Sequence, residues 1–88
     1  MILIWSSRAW DDYRHWQDQD MKLVRKINAL LADISRSPFK GQGKPEPLRG
    51  EKAGFWSRRI DEEHRLIYRV TGSGSGQRLE IAQCRYRY

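Results

Sequence analysis

Phe55-Trp56-Ser57-Arg58-Arg59-Ile60-Asp61-Glu62-Glu63-His64-Arg65-Leu66-Ile67-Tyr68-Arg69-Val70 holds the clearest strand pattern in this chain. Two runs rich in aromatic and branched residues, 55–60 and 65–70, flank the polar turn Asp61-Glu62-Glu63-His64, which is the pattern of a β-hairpin. In the second run Leu66, Tyr68 and Val70 alternate with Arg65, Ile67 and Arg69. One face is therefore apolar and the other largely basic. A third strand is expected from about Arg78 to the end, after the flexible turn Gly72-Ser73-Gly74-Ser75-Gly76. There Leu79 and Ile81 fall out of phase with Ala82 and Cys84, and a bulge would reconcile the two halves.

Upstream of the hairpin the pattern changes to helices. Leu23, Val24, Ile27, Leu30, Leu31 and Ile34 form one apolar stripe at helical spacing, with Asp20 as the N-cap and Ser37-Pro38 as the stop. Trp10, Tyr13 and Trp16 recur at the same spacing in an earlier helix, capped by Ser6 or Ser7, with Asp11 and Asp12 near its positive end. Before it, Ile2-Leu3-Ile4-Trp5 reads as a short buried strand. The expected class is α+β: an N-terminal strand, a two-helix hairpin, then a three-stranded antiparallel meander, all in one twisted sheet. Eighty-eight residues hold one domain, 1–88, with a modest core.

Charge divides the chain in two. Residues 1–35 carry five Lys/Arg and five Asp, a sum of zero; residues 36–88 carry twelve Lys/Arg and six Asp/Glu, which accounts for the net +6. Such a basic half suits a phosphate-rich or acidic partner. A single cysteine, Cys84, excludes an internal disulfide and fits a reducing compartment. No apolar run reaches the ~20 residues that span a bilayer, and no signal peptide is visible, so a cytoplasmic protein is expected. One Cys and two His without ligand spacing argue against a metal site, and no phosphate-binding glycine loop is present.

Pro38 to Gly54 contains three prolines and four glycines, a long loop in which Glu46 stands between Pro45 and Pro47. Metal-free cleavage of RNA needs a base for the 2′-hydroxyl, cations for the phosphate and an acid for the departing 5′-oxygen. Glu46 could be the base, and Arg59 and Arg65 could hold phosphate through bidentate forks. Lys44 and Arg49 could grip neighbouring phosphates, while Tyr86 and Tyr88 could stack on bases or donate a hydroxyl. A loop glutamate beside a lysine is more often just a solvated pair, and sheet arginines more often a solvated face. His15 reads as a surface residue and His64 as structural.

Met1-x-Leu3-Ile4-Trp5, Trp10-Asp11-Asp12-Tyr13, Lys44-Pro45-Glu46-Pro47-Leu48, Gly54-Phe55-Trp56-Ser57-Arg58-Arg59-Ile60, Glu63-His64-Arg65-Leu66, Cys84-Arg85-Tyr86 and Tyr88 closely resemble the YoeB toxins of the RelE superfamily, nearly end to end. The resemblance implies a RelE-like fold and a ribosome-dependent endoribonuclease that needs no cofactor and cuts mRNA in the decoding site. It assigns Glu46 as general base, Arg65 as phosphate stabiliser, Lys44, Arg49 and Arg59 as the RNA-facing surface, and Tyr88 as a substrate contact. It also implies dimerisation and inhibition by a YefM-like antitoxin. One position departs from the family: Arg87 stands where a histidine usually serves as general acid. A guanidinium stays protonated and gives up its proton reluctantly, so Arg87 can stabilise charge but is a poor proton donor. The alternative reading is an attenuated toxin that binds ribosome or antitoxin without efficient cleavage. A relative acting on DNA gyrase is disfavoured by the Lys44-Pro45-Glu46-Pro47 loop and the terminal tyrosine.

Overall fold

The computed structural model describes residues 1–88. Strand β1 (Ile2–Trp5) leads into helices α1 (Ser7–Gln19) and α2 (Met21–Arg36); β2 (Glu46–Pro47), β3 (Trp56–Arg59), β4 (Arg65–Thr71) and β5 (Arg78–Gln83) follow. The five strands form one sheet in the order β1-β5-β4-β3-β2. Strands β2 to β5 run antiparallel in succession, and β1 pairs with β5 in parallel. The expected meander is thus extended by a short strand from the proline-rich loop.

Local chemistry sets the helix ends. Ser6 accepts a hydrogen bond from the Ala9 N–H and caps α1; the Asp20 side chain does the same for α2 through the Lys22 N–H. Asp11 and Asp12 lie beyond the first turn of α1, so they do not serve its positive end. Asp12 instead turns inward and accepts the Cys84 N–H at 3.0 Å. The α2 stripe packs Val24, Ile27, Leu30, Leu31 and Ile34 against Leu66, Tyr68, Leu79 and Ile81 of the sheet. Each such side chain contributes roughly 1.5–3 kcal/mol on burial.

Two expectations fail at the edges. Ile2, Leu3 and Ile4 are exposed rather than buried, because β1 is an outermost strand and the helices cover the centre of the sheet. The last strand stops at Gln83, not at the end of the chain. The bulge does occur: Tyr68 pairs with Ile81 and Ile67 with Gln83, so the register skips Ala82. That skip lets Leu79, Ile81 and Cys84 all reach the core despite their mismatched parity.

Candidate active site

Pairing register places the sequence-selected charges. Glu46 is opposite Ser57 on β2 and β3, and Arg59 is opposite Arg65 on β3 and β4. Residues directly across an antiparallel pair share a face, and so do i and i+2 along a strand. Glu46, Ser57, Arg59 and Arg65 therefore lie together on the face away from the helices. With Lys44, Arg87 and Tyr88 they line a cavity of about 250 Å³. Two arginines directly opposed across a ladder repel each other, a local cost that an anionic ligand would relieve.

Four cations and one carboxylate line this cavity, and none of them belongs to the ion pairs of the fold, all of which lie elsewhere. Arg65 is 7% exposed, and its Nη1 donates to the carbonyls of Asp61 (2.8 Å) and His64 (3.0 Å). Those bonds fix the guanidinium and leave the fork of Nε and Nη2 without a protein acceptor, suited to two phosphate oxygens. Arg87 Nη2 donates to the Glu62 carbonyl at 2.8 Å, tying this tail residue to the β3–β4 turn. Arg49 is not among the lining residues; it precedes the short 3₁₀ turn Gly50–Lys52, one segment away.

The loop that presents Lys44 and Glu46 is built into the fold. Arg58, fully buried, donates from Nε to the Tyr68 hydroxyl (3.1 Å) and from Nη1 to Asp33 Oδ2 (2.5 Å) and the Gln42 carbonyl (3.0 Å). Its Nη2 donates to the carbonyls of Ser37 and Lys40, both at 2.7 Å. All five N–H donors of the guanidinium are used, and three of the acceptors are backbone carbonyls between residues 37 and 42. Asp33 accepts the Gln42 N–H as well, at 3.0 Å. That backbone bond, with Arg58 second, holds its carboxyl below the ordinary value of 3.8. Gly41, at φ +116°, has no room for a side chain, since a Cβ there would collide with the Asp33 carboxylate. Lys44 follows Gly43 in the left-handed region, at φ +52°, and the Arg59 N–H donates to the Gly43 carbonyl at 2.7 Å.

Glu46, Arg65, Arg87, Tyr88, Lys44 and Arg59 are thus assembled in one cavity, as a site drawn from the sequence requires. Ser57 joins them: its parity with Arg59 along β3 is readable, but only the β2–β3 register sets it opposite Glu46. Arg58 carried a readable signal: Trp56, Arg58 and Ile60 share the parity of the apolar face. No cluster of three or more His, Cys, Asp or Glu that could hold a metal ion is formed.

Comparison with known proteins places the fold and the motifs together. Toxin YoeB of Escherichia coli K12 is 57% identical over 88 residues, all of both chains. A YoeB/ParE toxin structure from Agrobacterium tumefaciens superposes with a TM-score of 0.96 at 57% identity, covering both chains completely. YoeB of Staphylococcus aureus, solved as a dimer (TM-score 0.90) and in a heterotetrameric complex with YefM (0.89), is 42% identical, and each match covers all of this chain and 98% of the other. The family described as YoeB-like toxin of bacterial type II toxin–antitoxin system matches residues 5–88. With that match and relatives more than half identical along their whole length, this chain belongs to the YoeB-like toxins of bacterial type II toxin–antitoxin systems.

Proposed function

We propose that this toxin is a ribosome-dependent, metal-independent mRNA endoribonuclease, with the basic cavity as its active site. The observation that carries the reading is the convergence of one free carboxylate with four cations in a single cavity on the sheet face. Glu46 takes the proton of the ribose 2′-hydroxyl. The 2′-oxygen then attacks the adjacent phosphorus, and charge develops on the non-bridging oxygens. Arg65, with its open Nε/Nη2 fork, stabilises that charge, and Arg59 and Lys44 add to the field. The bond to the 5′-oxygen breaks, giving a 2′,3′-cyclic phosphate and a 5′-hydroxyl. Arg87 stabilises the departing oxygen electrostatically, and the proton comes from water or the ribosome. Tyr88, half-exposed at the rim, contacts the substrate.

The partners follow from the same reading: the ribosome with mRNA in its decoding site, a YefM-like antitoxin, and a second copy of the chain. Support for the last two comes from the S. aureus dimer and YefM complex, and from the exposed apolar edge at Ile2–Ile4. No helix is long and apolar enough to cross a membrane, and we place the toxin in the cytoplasm with its ribosomal target.

Mapping mRNA ends on purified ribosomes tests the reading. The parent protein should create new ends at translated codons, and Glu46→Ala should lower the rate by ~10²–10⁴, as loss of a general base does. Undiminished cleavage by a Glu46→Ala, Arg65→Ala protein would sink the assignment. A second reading, a toxin that occupies ribosome or antitoxin with little cleavage, is favoured by Arg87, whose guanidinium is a poor acid. Ribosome stalling without new ends would support it.

A further inference from the structure

Arg87 and Tyr88 reach the cavity only because the chain turns sharply after β5. Tyr86 makes that turn at φ +65°, a left-handed conformation that is costly for a bulky residue and persists only where its surroundings enforce it. Both backbone polar groups of Tyr86 are held from the start of β4. The Arg65 N–H donates to the Tyr86 carbonyl at 3.0 Å, and the Tyr86 N–H donates to His64 Nδ1 at 2.8 Å. The His64 ring is locked in turn. It is buried, edge-on to Trp16 with centroids 4.7 Å apart, and beside the Tyr86 ring at 6.0 Å. Upstream, Asp12 and Trp16 bind the N–H and carbonyl of Cys84, and Gln83 Nε2 donates to the carbonyls of Arg85 (3.0 Å) and Arg87 (3.1 Å) on either side of the turn, leaving the Tyr86 N–H to His64.

We infer that His64 is a positioning residue for cleavage. Its unprotonated Nδ1 fixes the left-handed turn at Tyr86 and so brings Arg87 and Tyr88 into the basic cavity. Nδ1 can accept only while it carries no proton, which puts the ring N–H on Nε2, 3.6 Å from Glu63 Oε2. The inference rests on the cavity being the cleavage site, as proposed above. It concerns a residue that touches no substrate and acts through the backbone of Tyr86.

Two substitutions separate this role from simple packing. His64→Asn places Oδ1 where Nδ1 lies and keeps the acceptor; His64→Leu keeps the bulk and loses it. Amide hydrogen exchange at Tyr86 and Arg65, the two amides bonded across the turn, and steady-state mRNA cleavage on ribosomes are measured for both. His64→Leu should raise exchange at those amides about tenfold, the scale of one lost hydrogen bond, with α2 and the rest of β4 unchanged. Its cleavage should fall about tenfold, through kcat more than KM, while His64→Asn stays within about threefold of the parent in both measurements. Equal behaviour of the Asn and Leu proteins, or unchanged tail exchange in His64→Leu, would overturn the inference.

Should His64→Leu fail to fold, the parent alone supplies the test. Nitrogen NMR should show Nδ1 unprotonated with a through-hydrogen-bond coupling to the Tyr86 amide, and a protonated Nδ1 would refute the proposal. A parent that cuts no mRNA defeats the endonuclease reading, while exchange and coupling still decide the role of His64 in ordering the tail.

Discussion

Arg58 and Arg59 are adjacent, chemically identical and opposite in fate, which makes their paired replacement the sharpest test of this structure. Arg58→Met removes five hydrogen bonds, one of them to a carboxylate, from a fully buried position. At about 0.5–1.5 kcal/mol net per bond the loss is roughly 2.5–7.5 kcal/mol, and the range for removing one partner of a buried ion pair, about 3–5 kcal/mol, falls inside it. We expect about 4 kcal/mol, a large share of the 5–15 kcal/mol that holds a typical domain together. In a domain of this size that lowers Tm by roughly 15–30 °C.

Arg59→Met removes an exposed side chain without a protein partner and relieves repulsion with Arg65, so its effect should stay within about 0.5 kcal/mol. Urea unfolding followed by tryptophan fluorescence reads both, with the midpoint moving and the slope constant. Arg58→Lys, which keeps the charge but not the five-donor fork, should lose about half as much as Arg58→Met. Losses of equal size at 58 and 59, or an Arg58→Met protein within about 1 kcal/mol of the parent, would refute the reasoning.

Three further outcomes follow from other parts of the molecule. The Asp33 carboxyl is lowered first by the Gln42 N–H and then by Arg58, so as pH falls past 3.8 the unfolded chain takes up the proton before the folded one. Stability is therefore full above 3.8 and declines as pH drops through the folded value; acid unfolding curves should show a shallower decline in Asp33→Asn, and identical slopes would contradict the assignment. Burial, with a smaller contribution from the Asp12 carboxylate, pushes the Cys84 thiol up to about 12. Iodoacetamide at neutral to mildly alkaline pH should then label Cys84 only in step with unfolding, and rapid labelling of the native protein would show the site is open. For the cavity, binding of an oligoribonucleotide by the Glu46→Ala protein should weaken with salt, and adding Lys44→Ala or Arg59→Ala should each reduce the slope by about 0.7. Arg78→Ala, at an exposed position of β5 outside the cavity, should leave the slope unaltered.

Features that depend on neighbours within a few residues can be read without the fold. The α2 stripe, the caps at Ser6 and Asp20, the alternation in β4 and the phase break in β5 were all legible, because helix and strand periods act over short range. Glu46 between two prolines stands out as well, the chemistry of RNA cleavage joins it to Arg65, Arg59, Lys44 and Tyr88, and the family resemblance adds Arg87. Which of these residues meet depends on how the sheet assembles. That assembly left Arg49 outside the cavity, added Ser57, exposed Ile2–Ile4 on the sheet edge and buried Arg58 beside exposed Arg59. The physical reason is register. Pairing between strands far apart in the chain selects the face each side chain takes, and a shift of one residue would exchange Arg58 with Arg59. The turn at Tyr86 is non-local in the same way: its left-handed backbone is held by His64 and Arg65, more than twenty residues upstream.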